Sequence, residues 1–283
     1  MKITNKFKIF TITFSWFWLL VFILIPTGLL LMSVMTFHST HIYIPNLTFQ
    51  NFTDILNTAY LRIFLRSIIV SSLATVICLI VAYPFSYIVS QTHEKIKNLM
   101  LLLVIIPFWT SSLIRAYAIM AILKTKGILN NWLINVGLIE KPLQILYTDT
   151  ALLIGLVYTL LPFMILPLYA NMQRLDHTLI EAARDLGANR LTIFRKVLIP
   201  MTMPGILSGI ILVFFPAMTL FYIPTLLGGA KSMLLGNLIQ SQFLVANNWP
   251  LGSATSILLI FIMIICLAYY WRHTDRKDRE NLL

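Results

Sequence analysis

The sequence predicts an all-α, polytopic membrane protein with six transmembrane helices, and three observations carry that expectation. Hydrophobic residues make up 59% of the 283-residue chain and charged residues 11%, with a mean hydropathy of +0.86. A soluble domain is about 45–50% apolar and about 25% charged, so lipid must replace water as solvent for most of this chain. Six apolar runs reach the roughly 20 residues that a helix needs to cross the hydrocarbon core. The basic residues gather at the ends of those runs, so the net charge of +11 reflects membrane topology and no nucleic-acid partner is expected.

The predicted crossings run over about 9–35, 64–90, 99–123, 151–171, 203–227 and 253–270. The first follows Lys2, Lys6 and Lys8 in the manner of a signal peptide. Its apolar stretch exceeds an h-region of about 7–15 residues and no A-x-A site follows, so it is expected to be retained as a helix. With the N-terminus inside, the inner face holds those three lysines, Lys95, Lys97, Arg174, Arg184, Arg190, Arg195, Lys196, Arg272, Arg276, Lys277 and Arg279. The outer face holds only Arg62, Arg66, Lys124, Lys126, Lys141 and Lys231. That asymmetry predicts both termini in the cytoplasm of a bacterial cell, the chain lying in the inner membrane. Cys78 and Cys266 fall in apolar runs with neither metal-ligand nor disulfide spacing, and the five histidines show no metal pattern. The tripeptides at 46–48 and 51–53 match the glycosylation pattern by chance.

The cytoplasmic segment 172–200 carries the main signal. Asp176 is placed to cap a helix. Leu179, Ala182, Ala183 and Leu186 fall on one helical face, and Gly187 follows as a stop that can take positive φ. Asn189 then caps a second helix with Leu191, Phe194, Val197 and Leu198 on its apolar side. Pro200 is expected to end that helix, with Pro204 in the first turn of the next crossing. Two short amphipathic helices at a glycine turn fit either a lipid-headgroup surface or a protein partner. The small residues Ala182 and Ala183 and the mixed charges of Glu181, Arg184 and Asp185 favour a protein.

Glu181-Ala182-Ala183, three residues, Gly187, nine residues and Val197-Leu198-Ile199-Pro200 resemble the EAA loop of ABC importer permeases. Val197 and Ile199 depart conservatively from its I-x-L-P ending. The resemblance implies a type I ABC importer permease fold and a coupling helix that inserts into a cleft on an ATP-binding subunit. By position Glu181, Ala182, Ala183, Arg184, Asp185 and Gly187 would carry the coupling. Further segments, Ile106 to Tyr117, Gly155 to Met164 and Leu227 to Lys231, look like the B-type permease of spermidine/putrescine systems. Implied partners are a dimer of ATP-binding subunits, a second (C-type) permease, a periplasmic polyamine-binding protein and the bilayer. ATP would be used by the partner, since this chain has no P-loop and is expected to need no cofactor of its own and to be no enzyme.

No predicted crossing contains Asp or Glu. For a polycation this leaves aromatic faces as the expected contacts: Phe108, Trp109, Tyr117, Tyr158, Phe221 and Tyr222. Arg115 is the one charge within a crossing and is expected to have a structural or gating role. It also keeps open an anionic or amino-acid cargo. A secondary transporter would be expected to show more intramembrane charge, and a lipid-modifying enzyme would need interfacial acid or histidine clusters. Gly205 and Gly209 permit close helix packing, either within the chain or against the second permease.

Overall fold

A computed structural model describes residues 5–34, 50–229 and 232–273. The tripeptide at 46–48, His38, His41, Lys231 and the basic residues after His273 lie outside the described residues. Most of those described are helical, with no strand among them. In chain order the helices are α1 (Asn5–Val34), α2 (Gln50–Ile55), α3 (Thr58–Gln91), α4 (Glu94–Ile105), α5 (Ser112–Leu123), α6 (Ile128–Asn135), α7 (Asp149–Met172), α8 (His177–Asp185), α9 (Arg190–Ile193), α10 (Ile199–Thr219), α11 (Leu235–Leu244) and α12 (Trp249–His273). Five continuous helical stretches among the described residues are long and apolar enough to cross a membrane, and the bent pair Glu94–Trp109 with Ser112–Asn135, counted as one broken span, brings them to six.

Two predicted crossings are broken. The run at 99–123 is divided by a 3₁₀ turn, Ile106–Trp109, and the two sides meet at 97°. Pro107 has no N–H to continue the α ladder. Thr110 then turns its hydroxyl onto the Pro107 carbonyl at 2.7 Å and its own backbone is extended, ψ 150°. The run at 203–227 stops at Thr219, where Leu220 is extended (ψ 120°), and resumes as a π-turn over Pro224–Gly228. Pro224 cannot donate to the Leu220 carbonyl four residues back, so the ladder has no bond to continue with. Average hydropathy is blind to both breaks, because the residues involved remain apolar.

The described residues form two compact units, one of 5–34, 50–61 and 238–269, the other of 62–229, 232–237 and 270–273. In the first, Val34, Ile55, Leu251 and Ala254 form a small buried cluster. Asn51 donates its amide to the Val34 carbonyl at 2.7 Å, satisfying an acceptor left open at the end of α1. In the second, α7 is the central helix. Leu152, Leu156, Leu160, Met164, Leu168 and Met172 recur every fourth residue and are all buried. α3 meets the core through a ridge of small side chains, Ser71, Ala74, Cys78, Ala82 and Ser86. Ser86 donates to the Ile165 carbonyl at 3.2 Å. α10 approaches α7 at Gly205, where a Cβ would stand 3.0 Å from the Pro167 carbonyl, and at Gly209, where it would meet Met164 Sδ at 2.5 Å. The glycine pair therefore packs within the chain. Small residues at such crossings let backbones come close enough for van der Waals packing, which is what holds helices together in lipid.

Candidate functional site

The segment between α7 and α10 is a rigid, locally capped loop. Asp176 Oδ1 accepts from the Thr178 amide at 3.0 Å and its hydroxyl at 2.7 Å, which starts α8. Gly187 ends it at φ +77°. The Ala188 amide returns to the Ala183 carbonyl at 3.0 Å and the Gly187 amide to Arg184 at 2.9 Å. That pair of bonds is a Schellman motif, and it fixes the exit angle of the chain. Asn189 Oδ1 accepts from the Thr192 amide at 2.8 Å and starts α9.

The next stretch differs from expectation. Pro200 does not end the second helix: the path is helical without interruption over Arg190–Thr219. A π-turn over Phe194–Leu198, closed by the Ile199 amide on the Phe194 carbonyl, widens the helix just before Pro200. The added residue makes room for a ring that would otherwise strike the carbonyl four residues back. The second half of the loop and the crossing are thus one rod. Phe194 meets Tyr83 of α3 edge-on at 5.5 Å, and Tyr83 and Thr202 share a hydroxyl hydrogen bond of 3.1 Å, bracing that rod.

The expected apolar face of α8 divides in two. Ala183 packs against the chain's own core, where Ile180, which that face did not include, is buried with Leu175 and Ile193. Leu179, Ala182 and Leu186 stay uncovered, Leu186 being 88% exposed. Glu181, Arg184 and Asp185 are exposed beside them. Of the six coupling positions only Ala183 turns inward. The result is an apolar stripe with charged margins on a capped helix.

The aromatic candidates differ in their surroundings. Phe108 is half-buried between Phe163 of α7, edge-on at 5.2 Å, and Arg115, whose Cζ lies 4.8 Å from its ring centroid. Arg115 therefore ties α5 to the 3₁₀ turn across the break, a cation–π contact that suits a structural role. Its buried Nε has no hydrogen-bond partner among the described residues. Phe221 and Tyr222 meet edge-on at 6.0 Å, with Phe221 exposed and Tyr222 packed on the core. Trp109, Tyr117 and Tyr158 are exposed, Trp109 by 79%.

At the opposite end of α7 the structure assembles a group that the sequence reading did not single out. Arg66 Nη2 donates to Asp149 Oδ1 at 2.6 Å, and Ser232 Oγ donates to the same oxygen at 3.3 Å. The Tyr147 amide donates to the Leu227 carbonyl at 2.9 Å, and the Leu235 amide to Ser67 Oγ at 2.9 Å. Beside them Asn237 donates to the Phe221 carbonyl at 2.8 Å and Thr225 Oγ1 at 2.7 Å. A cavity of about 180 Å³ is lined by Pro224, Thr225, Gly229, Ser232, Met233 and Asn237. The available signal was Asp149 itself, an acid beside Thr148 at the predicted start of a crossing, where a helix N-terminus favours negative charge.

Membrane-length helices, broken beside polar side chains and joined by a capped loop, make up the architecture of a membrane permease. The chain belongs to the family described as binding-protein-dependent transport system inner membrane component, whose model matches residues 80–274, and it is a multi-pass inner-membrane protein. It is similar to the spermidine/putrescine transport system permease protein PotB of Haemophilus influenzae, with 48% identity over 98% of both chains. The PotB of Escherichia coli K12 is 44% identical over 93% of this chain and 96% of its own. Among solved structures, a chain of a bacterial ABC transporter that imports the acidic polysaccharide alginate superposes with a TM-score of 0.76, covering 96% of this chain and 98% of its own. A second alginate ABC transporter structure, in complex with a pentasaccharide-bound periplasmic protein, gives 0.75 over 94% and 93%. Both are 16% identical to this chain and show the fold alone.

Proposed function

We propose that this chain is a permease subunit of an ATP-driven polyamine importer, forming half of the translocation pore and coupling to an ATPase through residues 172–200. The observation that carries the cargo is the end-to-end similarity to spermidine/putrescine permeases, 48% and 44% identical with no large segment left over on either side. The coupling rests on the loop's geometry. A helix can transmit force only if its ends are fixed, and α8 is fixed by Asp176, by the turn at Gly187 and by the rod that continues into α10. Glu181, Ala182, Arg184 and Asp185 face outward to meet the partner, and Ala183 and Gly187 set the helix in place. Partners on this reading are two ATP-binding subunits, which use the ATP, a second C-type permease, and a periplasmic polyamine-binding protein. Both termini lie in the cytoplasm, as the excess of Lys and Arg on that side favours. Phe108, Trp109, Tyr117, Tyr158, Phe221 and Tyr222 are the proposed cargo contacts, supported by the affinity of aromatic faces for ammonium groups.

The test is uptake of labelled spermidine and putrescine by cells lacking this chain, with the native chain or a Glu181→Lys form restored. The native chain is expected to restore uptake and Glu181→Lys to leave most of it missing, with the protein still in the membrane. Uptake that never depends on the chain would remove the polyamine and turn the search to anionic or amino-acid cargo.

A further inference from the structure

Tyr83 of α3 reaches both ends of the π-turn over Phe194–Leu198. Its ring lies edge-on to Phe194, the first residue of that turn, with centroids 5.5 Å apart. Its hydroxyl lies 3.1 Å from Thr202 Oγ1. Thr202 is fully buried, and its own hydroxyl donates at 2.8 Å to the carbonyl of Leu198, the last residue of the turn. A carbonyl can only accept, so the single Thr202 proton is committed there and Tyr83 is the donor to Thr202. The bonds from Tyr83 to Thr202 to Leu198 therefore run in one direction, an arrangement in which each polarises the next. The π-turn is the junction between α9, which belongs to the docking loop, and the crossing α10. On the α3 side the next residue is Pro84, which has no N–H for the Ile80 carbonyl, so the α3 ladder is interrupted beside Tyr83. Three residues past Tyr83, Ser86 ties α3 to the Ile165 carbonyl of α7 at 3.2 Å. A widened rod and an interrupted α3 are thus joined where each is able to bend.

A brace between two straight helices adds packing alone, whereas a brace between two bends decides whether they bend together. We propose that Tyr83 is a positioning residue for transport: it fastens α3 to the π-turn, so that displacement of the docking loop moves α3 with α10 and is not lost as a local bend. This rests on the reading of segment 172–200 as the ATPase-coupling loop and of a polyamine as cargo. Ring and hydroxyl do different work. The edge-on ring contact with Phe194 is packing, and it tolerates a small slide of one helix along the other. The hydroxyl bond is directional, so it fixes the register of Tyr83 against Leu198. Tyr83 lies within a predicted crossing, where no bulk water competes for its hydroxyl.

The experiment uses the complete importer in proteoliposomes, with labelled spermidine delivered by the binding protein and ATP hydrolysis measured in the same vesicles. Tyr83→Phe keeps the ring on Phe194 and removes the donor. It is expected to raise the ATP hydrolysed per spermidine about threefold, the shift that one interhelical hydrogen bond in a membrane supports. Thr202→Val should do the same, and Thr202→Ser should hold the native ratio. Tyr83→Phe combined with Thr202→Val should be no worse than the worse single change, because both remove one bond. A brace with no part in transport would lower the thermal midpoint of the importer and leave that ratio alone. An unchanged ratio in both Tyr83→Phe and Thr202→Val would therefore overturn the proposal. A second readout needs no cargo. Spin labels at Ile88→Cys on α3 and Met203→Cys on α10, both exposed sites, report in a Cys78→Ala, Cys266→Ser background whether the two helices move together. ATP should leave their dipolar broadening unchanged with Tyr83 in place and alter it in Tyr83→Phe, and an identical response in the two would also overturn the proposal. A native importer that moves neither spermidine nor putrescine would instead sink the polyamine reading, and native uptake by a Glu181→Lys importer the coupling reading.

Discussion

Gly187 shows how much one backbone angle decides. At φ +77° it lies where L side chains are disfavoured, yet a Cβ built there meets nothing within 4 Å. The cost of substitution is therefore conformational and not steric, about 1–2 kcal/mol for an ordinary residue and more for a β-branched one. Gly187→Asn should keep transport coupled to ATP hydrolysis, since Asn tolerates this region. Gly187→Val should open the Schellman turn and raise the ATP hydrolysed per polyamine moved, measured side by side in proteoliposomes. Equal coupling in the two variants would mean that the turn does not set the angle of α8. This residue was legible in advance, because a glycine after an apolar helical run is a local signal. The inward face of α8 was not. Ile180 and Leu179 are adjacent and equally apolar, and periodicity marks a stripe without saying which stripe meets the core; only the packing of Ile180 with Leu175 and Ile193 decides it. Asp149 was missed for a related reason: its partner Arg66 is 83 residues away, a distance that no local pattern spans.

At the scale of elements, helix contacts rest on glycine in ways that differ between two positions of the same motif. Gly205 faces backbone, with the Pro167 carbonyl 3.0 Å and Asn171 Cβ 2.7 Å from where a Cβ would sit. Gly209 faces the tip of Met164, a flexible thioether that can swing aside. Gly205→Ala should therefore cost about 1–3 kcal/mol as overpacking against α7, and Gly209→Ala distinctly less. The midpoint of thermal aggregation in detergent should fall further for the first than for the second, and the reverse order would contradict the packing described. Element boundaries were the least legible level of the fold. Run length and hydropathy locate crossings, but the breaks at Pro107 and Leu220 arise from the backbone bonds a proline cannot make, and a proline in an apolar run is compatible with a kink, a start or a break. The contact of Arg115 with Phe108 across one such break gives the charge a neighbour that its sequence position alone did not name.

At the scale of the whole molecule, function requires that two ends do different work. α7 begins at the Asp149 cluster and runs into the loop that carries α8, and the α9–α10 rod runs back beside it. The loop is therefore joined to the far end by packed helices and by no long linker. This holds as transport only if the loop faces the ATPase and α6 with its neighbours faces the binding protein. Single cysteines in a Cys78→Ala, Cys266→Ser background test that arrangement. Leu138 and Leu186 are both highly exposed, so neither substitution disturbs a core. Leu138→Cys should react with a membrane-impermeant maleimide from the outer side of intact cells. Leu186→Cys should react only in inside-out vesicles, and faster once the ATPase is stripped away, because the partner covers it. Labelling of Leu186→Cys from outside would invert the topology that the basic residues predict. Labelling from inside that ignores the ATPase would keep the topology and remove the docking face, so orientation and coupling are decided separately by one pair of residues.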